Sequence, residues 1–301
     1  MKKNNGFIMI VVLGFSLGLV FIILFLNYKT KKYIDSVIQY YEKFEMERIC
    51  ELGFEIVKGL LKKDKNNYDY FGEGWAKSKS FKIEDYNLEI TIKDENSKIN
   101  INKVIGEKGQ VNQLLLEVLK NLFVICGYPS SLLDSLLDWI DEDNLERPMG
   151  AEYFYYSSLG LKNLPPNKKI KSLSELFWIK GYDEKIIIGE KEKKGILNFI
   201  TIYSDDKINI NTCEEEILNA MGFTNEEVNL IIEERENRPL NEPFLIKTNK
   251  EVFLKNKNLI KYLSNYFHVF IKVKNKKGYE INTEGIIKKN KSLELVRKGI
   301  L

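Results

Sequence analysis

The chain has 301 residues, of which 44% are hydrophobic and 30% are charged, and its formal net charge is only +3. A chain of this length can hold one large domain or two smaller ones, each with its own core. The near balance of charges argues against a nucleic-acid-binding protein, in which basic residues are in clear excess. The single histidine, His268, lies in the alternating stretch YFHVFIKV and is predicted to be a strand residue.

The three cysteines, Cys50, Cys126 and Cys213, form no CxxC pair and have no metal-ligand spacing. Their odd number leaves at least one thiol free. We therefore expect buried structural cysteines and no disulfide framework.

The first predicted element is a membrane-spanning helix over residues 7–26, a stretch of twenty residues without a charge. As a helix it is about 30 Å long, which matches the hydrocarbon core of a bilayer. A secretory signal has a shorter apolar region, about 7–15 residues, followed by a small-x-small cleavage site. Here FLNYKTKKY follows instead, so we expect the helix to stay in the mature protein. Lysines flank both ends, and only the short N-terminus favours a cytoplasmic start.

Beyond this span, apolar residues recur at spacings of three and four as far as Leu61, with charged residues between them. The pattern predicts one long helix over residues 7–63, with a lipid-soluble first half and an amphipathic second half. The amphipathic half needs a sheet to pack on.

Two stretches of the soluble part resemble each other: ITIKDENSKININ (residues 90–102) and ITIYSDDKININT (residues 200–212). Each is predicted to form a strand, a polar turn and a short second strand. Two helices are predicted after each copy, and Gly127 and Gly222 are placed to end the first of them.

The segment from Phe267 to the end alternates between apolar and polar residues, with NKKG and KKNK as polar connections. This pattern predicts a three-stranded antiparallel meander. The predicted fold is therefore α+β: a long N-terminal helix packed on an antiparallel sheet, with a large inserted helical domain.

The junction NNGFIMIVV resembles the cleavage site of type IV pilin-like precursors. By this resemblance Gly6 is the last leader residue, and a prepilin peptidase cleaves before Phe7, which becomes the N-methylated terminus. Pilins of this class carry Glu at the fifth mature position, where this chain has Val11.

Further blocks resemble one family, the type II secretion minor pseudopilin K (general secretion pathway protein K). They are DENSKININ, LLDWIDED followed by GAEYFYY, LPPNKKIKSLSEL, YSDDKININT, EEEILNAMGF and IIEERENRP, in this order. The helical blocks resemble helix-hairpin-helix units. The resemblance implies this division of the chain: leader 1–6, transmembrane half-helix 7–26, periplasmic half-helix 27–64, first sheet strands 65–104, inserted helical domain 105–197, strand hairpin 198–212, second helical unit 213–262 and C-terminal strands 263–301.

The resemblance implies a structural protein at the tip of the periplasmic pseudopilus, anchored in the inner membrane by a single helix. Its implied partners are the I and J minor pseudopilins, the major pseudopilin, prepilin peptidase, the inner-membrane secretion platform and membrane lipid. Two alternatives stay open: a minor pilin of a type IV pilus or DNA-uptake system, and a membrane-anchored helix-hairpin-helix DNA receptor. No enzyme activity is expected, because no nucleophile–base arrangement or phosphate loop stands out.

Val11 fits a tip position. In a pilus, the Glu of an incoming subunit is thought to neutralise the N-terminal amine of the subunit above it. A tip subunit has nothing above it, so a carboxylate at this position would be unpaired in the membrane and costly. The alternative is a chance substitution in an apolar helix.

Acidic residues crowd the end of the predicted helix SSLLDSLLDWI and the loop after it, and only Arg147 opposes them nearby: they are Asp134, Asp138, Asp141, Glu142, Asp143, Glu146 and, just beyond, Glu152. Hard oxygen ligands suit Ca²⁺, which family members bind in the helical domain. We expect Asp141, Asp143 and Glu152 as ligands, with Asn144 as a carbonyl ligand. The alternative is a solvated acidic loop.

Asparagines alternate with isoleucine at Asn100, Asn102, Asn209 and Asn211. Their amides are expected to bond the start of the following segment, which is a structural role. Between Cys213 and Glu242 acidic residues prevail, which is the wrong sign for a phosphate contact. Nucleic acid is therefore not an expected partner.

Overall fold

The computed structural model describes residues 5–290 and 293–300. Its helices are α1 (Asn5–Lys63), α2 (Gln113–Ile125), α3 (Leu132–Ile140), α4 (Tyr153–Ser158), α5 (Glu184–Ile187), α6 (Glu215–Met221), α7 (Asn225–Asn237) and α8 (Glu242–Asn256). Its strands are β1 (Lys79–Ile83), β2 (Tyr86–Asp94), β3 (Ile99–Asn100), β4 (Gly189–Glu190), β5 (Lys193–Lys194), β6 (Ile200–Thr201), β7 (Ile208–Asn209), β8 (Ile260–Lys261), β9 (Tyr266–Asn275), β10 (Glu280–Lys289) and β11 (Leu293–Ile300).

Helix α1 has 59 residues and is about 90 Å long at 1.5 Å per residue. Its most apolar stretch has a mean hydropathy of 3.0 and none of it is buried, so by length and composition the helix can cross a membrane. Burial begins only at Met46, where the helix reaches the rest of the protein. Residues 1–4 of the predicted leader lie outside the described residues.

The sheet has five antiparallel strands in the order β1-β2-β9-β10-β11. Its last three strands are the predicted meander. The strands alternate between buried and exposed residues, and the buried side chains of β2 and β9 face α1. The helix side of this core consists of Met46, Ile49, Cys50, Phe54, Val57 and Leu61, at spacings of three and four.

A glycine sets the close approach of α1 to the sheet. A Cβ at Gly53 would lie 2.8 Å from Cδ1 of Ile271 on β9. Hydrogen in place of a side chain lets the helix backbone lie against the strand at this point. The predicted α+β fold, a long helix on an antiparallel sheet, is confirmed.

The helical region is inserted between two neighbouring strands of the sheet. Asp94 at the end of β2 pairs with Phe267 at the start of β9, and the chain between them leaves the sheet and returns. This inserted region has its own core, which includes Leu119, Trp139 and Phe199. The two cores share no residue.

Both similar stretches form the predicted strand, polar turn and short second strand, as β2 and β3 and as β6 and β7, but the two strands of a stretch do not pair with each other. Strand β6 pairs in parallel with β3, and β7 pairs in parallel with β8, so the strand hairpin predicted at residues 198–212 does not form. The prediction that residues 65–104 all belong to the pilin sheet is wrong for β3 for the same reason.

The asparagines explain why these strands are so short. The side chain of Asn100 accepts a hydrogen bond from the N–H of Asn102, 3.0 Å away, and Asn209 bonds Asn211 in the same way at 3.0 Å. This bond turns the backbone directly after the asparagine, so each strand ends at its second residue.

The first helix of each predicted pair ends at the glycine that the sequence indicates. Gly222 adopts φ 108° and its N–H bonds the last carbonyls of α6. Gly127 follows α2 with φ 70°. Thr224, which stands where a helix-hairpin-helix would have a second glycine, forms a capping box with Glu227 at the start of α7. All three cysteines are free thiols.

Candidate metal centre

The acidic loop, defined here as residues 141–152, joins α3 to α4. Helix α3 forms because its leucines and Ile140 line one face, and it is buried in the core of the inserted region. Two hydrogen bonds tie the loop back to the helix at Met149. Its N–H bonds Oδ2 of Asp134 at 3.2 Å, and its carbonyl accepts from Oγ of Ser135 at 3.0 Å.

Three of the predicted ligands come together in this loop. One carboxylate oxygen each from Asp141, Asp143 and Glu152 lies within 4.8 Å of the others. Asp141 and Glu152 are 5% and 2% exposed, whereas Asp143 is open to solvent. The fourth predicted ligand, Asn144, directs its side-chain oxygen to another partner and accepts from Nδ2 of Asn167 at 3.2 Å.

Several of these carboxylate oxygens have no donor. Oδ1 of Asp141 and both oxygens of Glu152 are buried without a hydrogen-bond partner in the described part of the chain. Buried acceptors normally have a partner, because losing water without one is costly. These oxygens therefore lack the compensation that a cation, a bound water or a proton would provide.

The pKa values of the loop report the same excess of negative charge. Burial, together with the nearby charges of Asp138 and Asp141, raises the pKa of Glu152 to about 7. Burial also raises the pKa of Asp141, although Arg147 opposes this rise. Both carboxyl groups would be easier to ionise if a cation lay between them.

Arg147 is the cation already present. Its Nη1 lies 2.5 Å from Oδ1 of Asp138 and 2.5 Å from Oδ2 of Asp141. The guanidinium thus offsets two carboxylates on the α3 side of the loop. It does not reach the unpartnered oxygens of Asp141 and Glu152.

The donor set fits a calcium ion. Carboxylate oxygens that are close, buried and without donors are the ligands that Ca²⁺ takes, and Asp143 is available from the exposed side. An ion bound there would neutralise the carboxylates and cross-link the two ends of the loop.

Two residues that support the loop were missed from the sequence. Nδ2 of Asn167 donates to the carbonyl of Asp143 at 2.6 Å, and Gly150 packs against the carboxylate of Asp138. Asn167 has a positive φ of 48°, which Asn tolerates better than most residues. Its position after two prolines indicates a turn, but no sequence signal indicates that this turn lies against the acidic loop.

A second acidic group has a different chemistry. Asp64, Asp69 and Glu73 also place carboxylate oxygens within 4.8 Å of one another. Nζ of Lys289, however, lies 2.8 Å from Oδ2 of Asp64 and 3.8 Å from Oδ1 of Asp69. The oxygens of Glu73 accept from Trp75, Asn66 and a backbone N–H. Lys289 and these donors already compensate the three carboxylates, so we do not consider this group a metal site.

The remaining predicted residues lie elsewhere. Gly6, Phe7 and Val11 are in the apolar part of α1, where Phe7 is 71% and Val11 is 51% exposed. Asn100 and Asn209 bond the segment that follows them, as expected. Asn102 and Asn211 instead bond distant segments: Asn102 exchanges two hydrogen bonds with Ile170, each 2.8 Å long, and the side-chain oxygen of Asn211 accepts from the N–H of Leu240 at 2.7 Å.

The architecture defines a class of protein. A long N-terminal helix that is bare over its apolar half and packed on an antiparallel sheet over its second half is typical of pilin-like proteins. In this chain the inserted helical region with its acidic loop is added to that architecture between β2 and β9.

Comparison with known proteins identifies the inserted region. Residues 97–188 match the family model described as type II secretion system (T2SS), protein K. The fold is similar to that of a chain in the GspK-GspI-GspJ complex from the enterotoxigenic Escherichia coli type 2 secretion system, with a TM-score of 0.72 and 17% identity over 87% of this chain and 98% of that one. No curated protein matches the chain. The resemblance to the family of type II secretion minor pseudopilin K is thereby confirmed.

Proposed function

We propose that this chain is a minor pseudopilin at the tip of a type II secretion pseudopilus, where it initiates or caps assembly for protein export across the outer membrane. The observation that carries the proposal is the inserted region between β2 and β9, which includes the segment that matches the protein K family model. Its bulk lies beside the sheet and hinders another subunit from stacking above.

The N-terminal helix supports the same role. Val11 brings no carboxylate into the apolar half of α1. This suits a tip subunit, which has no subunit above it whose N-terminal amine a carboxylate would neutralise. The soluble part then lies in the periplasm, and the helix holds the chain in the inner membrane until assembly.

The test of this processing is mass spectrometry of the N-terminus of the protein extracted from membranes. The expected terminus is N-methylated Phe7, with residues 1–6 removed by prepilin peptidase. A Gly6→Leu variant should keep its leader, and Gly18→Leu in the same helix is the control. A native chain that retains Met1 and its lysines would contradict the proposal.

The proposed partners are the I and J minor pseudopilins, and the contact surface is the exposed apolar side of α1 beyond the membrane. Val37 and Ile38 are 48% and 44% exposed there, although both are apolar. Ile38→Ser should weaken co-purification with the two partners from detergent extracts by about tenfold, since losing one buried aliphatic group at an interface costs 1–2 kcal/mol. Lys43→Ser on the same helix should leave it unchanged. Equal recovery with both variants would contradict this surface.

We also propose that the acidic loop binds Ca²⁺ through Asp141, Asp143 and Glu152. The support is the set of buried oxygens without donors. Calorimetric titration of the full chain in detergent should show one saturable Ca²⁺ site that Glu152→Gln abolishes. Glu107→Gln, at an exposed acidic residue outside the loop, is the control. Absence of heat with the unmodified chain would favour the solvated acidic loop.

A further inference from the structure

Asp138 differs from Asp141 and Glu152 because each of its two carboxylate oxygens has a donor, and both donors belong to the same loop residue. The residue is 0% exposed. Its Oδ1 accepts from Nη1 of Arg147 at 2.5 Å, and its Oδ2 accepts from the backbone N–H of the same arginine at 3.2 Å. A carboxylate held by both the side chain and the backbone of one residue fixes that residue's conformation.

The loop backbone is shaped to admit this arrangement. A Cβ at Gly150 would lie only 1.8 Å from Oδ2 of Asp138, so no side chain fits there without displacing the carboxylate. The N–H of Gly150 bonds the carbonyl of Arg147 at 2.9 Å, and its own carbonyl accepts from Nζ of Lys180 at 2.7 Å. The turn from Arg147 to Gly150 is therefore built around Asp138.

Arg147 divides the oxygens of the neighbouring carboxylate. Its Nη1 also bonds Oδ2 of Asp141 at 2.5 Å, while Oδ1 of Asp141 stays without a partner beside Glu152. One oxygen thus serves the internal cation, and the other is left for an external one. This division orients Asp141 toward Glu152.

We propose that Arg147 is a positioning residue: it is the internal counter-ion that holds the acidic loop in its closed shape before any metal binds, and Asp138 is its anchor, not a metal ligand. The assignment of the ligands rests on the calcium site proposed above, whereas the role of Arg147 in the metal-free chain does not.

The physical reason is repulsion between carboxylates in a poorly solvated place. Without Arg147, two buried carboxylates on the α3 side would face Glu152 with no compensating charge, and the loop would open to hydrate them. With Arg147, the chain pre-orders the loop, so that an entering ion meets ligands already in place. Loss of the arginine should therefore disorder the loop only when no metal is present.

The experiment is hydrogen–deuterium exchange of the full chain in detergent micelles, measured for the amides of residues 141–152 with a chelator and with saturating Ca²⁺. In chelator, Arg147→Gln should exchange in this loop at least tenfold faster than the unmodified chain. Saturating Ca²⁺ should restore most of the protection. Arg147→Lys should retain most of it without Ca²⁺, because both contacts are made through a single nitrogen.

Two further variants separate the roles. Glu152→Gln should be as protected as the unmodified chain in chelator and should not respond to Ca²⁺. Arg238→Gln removes an exposed arginine that pairs with Glu234 on α7, and it should change nothing in the loop.

Normal protection of Arg147→Gln in chelator would overturn the proposal, and so would failure of Arg147→Lys to protect better than Arg147→Gln. If neither the unmodified chain nor Arg147→Gln responds to Ca²⁺, the calcium site proposed above is overturned, while faster exchange of Arg147→Gln in chelator would still support the positioning role.

Discussion

Buried carboxylates in this chain are compensated in three different ways. Asp94 is surrounded by neutral donors, Asp69 lies near Lys289, and the acidic loop is only partly neutralised by Arg147. Among the residues that the structure describes, two neighbouring carboxylates keep buried oxygens without donors, and without a lysine in reach of them, only in this loop. This difference between otherwise similar acidic groups is why the loop is the candidate metal centre.

At the residue scale, Asp69 should make stability depend on pH. Burial raises its pKa from 3.8 to about 7 in the folded chain. Because the folded pKa lies above the unfolded one, ionisation costs stability, and the cost grows as the pH rises from about 4 to about 7. The cost is at most about 4 kcal/mol above that range.

Asp69→Asn removes this titration. The difference in free energy of unfolding between Asp69→Asn and the unmodified chain should therefore shift in favour of the variant as the pH rises from 4 to 7. Urea unfolding in micelles, followed by tryptophan fluorescence at several pH values, measures the difference. Asp85→Asn, at an exposed position, should show no such trend. Parallel pH profiles for Asp69→Asn and the unmodified chain would refute the prediction.

Gly150 should be intolerant of even the smallest side chain. Gly150→Ala places a methyl group on the Asp138 carboxylate, and we expect a loss of about 1–3 kcal/mol of unfolding free energy from the resulting overpacking. Gly74→Ala is the matched control, since nothing lies within 4 Å of its Cβ position. If Gly150→Ala is as stable as the control, the loop accommodates the methyl group and the predicted clash with Asp138 is refuted.

At the scale of elements, α1 and the sheet stabilise each other through one face of the helix only. Phe54 is 1% exposed, whereas Leu52, two residues earlier, is 46% exposed on another side. Phe54→Ala should lower the free energy of unfolding by about 3–5 kcal/mol, and Leu52→Ala should change it by less than about 0.5 kcal/mol. Chemical denaturation of both variants in the same detergent compares them, and similar losses would argue against the one-sided contact.

Regular apolar spacing predicts the long elements of this fold better than its short strands. The long helix, its change from lipid-soluble to amphipathic and the C-terminal meander follow from regular spacing over many residues, which tertiary contacts reinforce. The short strands at residues 90–102 and 200–212 form as predicted, but the hairpin pairing at residues 198–212 is predicted from alternation over only a few residues and does not form. There the asparagine side chains compete with the strand ladder for backbone N–H groups, and the strands end.

The candidate site was only partly predictable for a related reason. Asp141, Asp143 and Glu152 are close in sequence, and their charge alone indicated that they need a cation. The partners that shape the loop depend on tertiary contact. Asn167 follows α4 in the chain and donates to the carbonyl of Asp143 in the loop. The need for glycine at position 150 comes from its contact with the Asp138 carboxylate, which the sequence does not show.

At the scale of the whole molecule, the sheet core and the inserted region meet at a polar junction. Asp94 at the end of β2 accepts hydrogen bonds from Asn209 at 2.9 Å, Thr212 at 2.5 Å and Ser264 at 2.5 Å, and from the N–H of Asn96 at 2.8 Å. Since the two hydrophobic cores share no residue, this buried network contributes directly to holding them together.

Asp94→Ala should therefore weaken the junction. It leaves three buried side-chain donors without their acceptor, and we expect a loss of about 3 kcal/mol or more. Limited proteolysis should then cut near residues 95–98 and 262–265 faster than in the unmodified chain. Asp85→Ala, which removes an exposed partner of Lys276, should leave the cleavage rate unchanged. Equal cleavage in both variants would show that other contacts hold the junction.

The register between β2 and β9 has a consequence for how such a chain can arise. Asp94 and Phe267 are already opposite each other in the ladder, so the two strands need nothing more than a tight turn to connect them. The entire inserted region takes the place of that turn. A chain of this fold could gain or lose the whole region at this point without changing a single strand pair of the sheet.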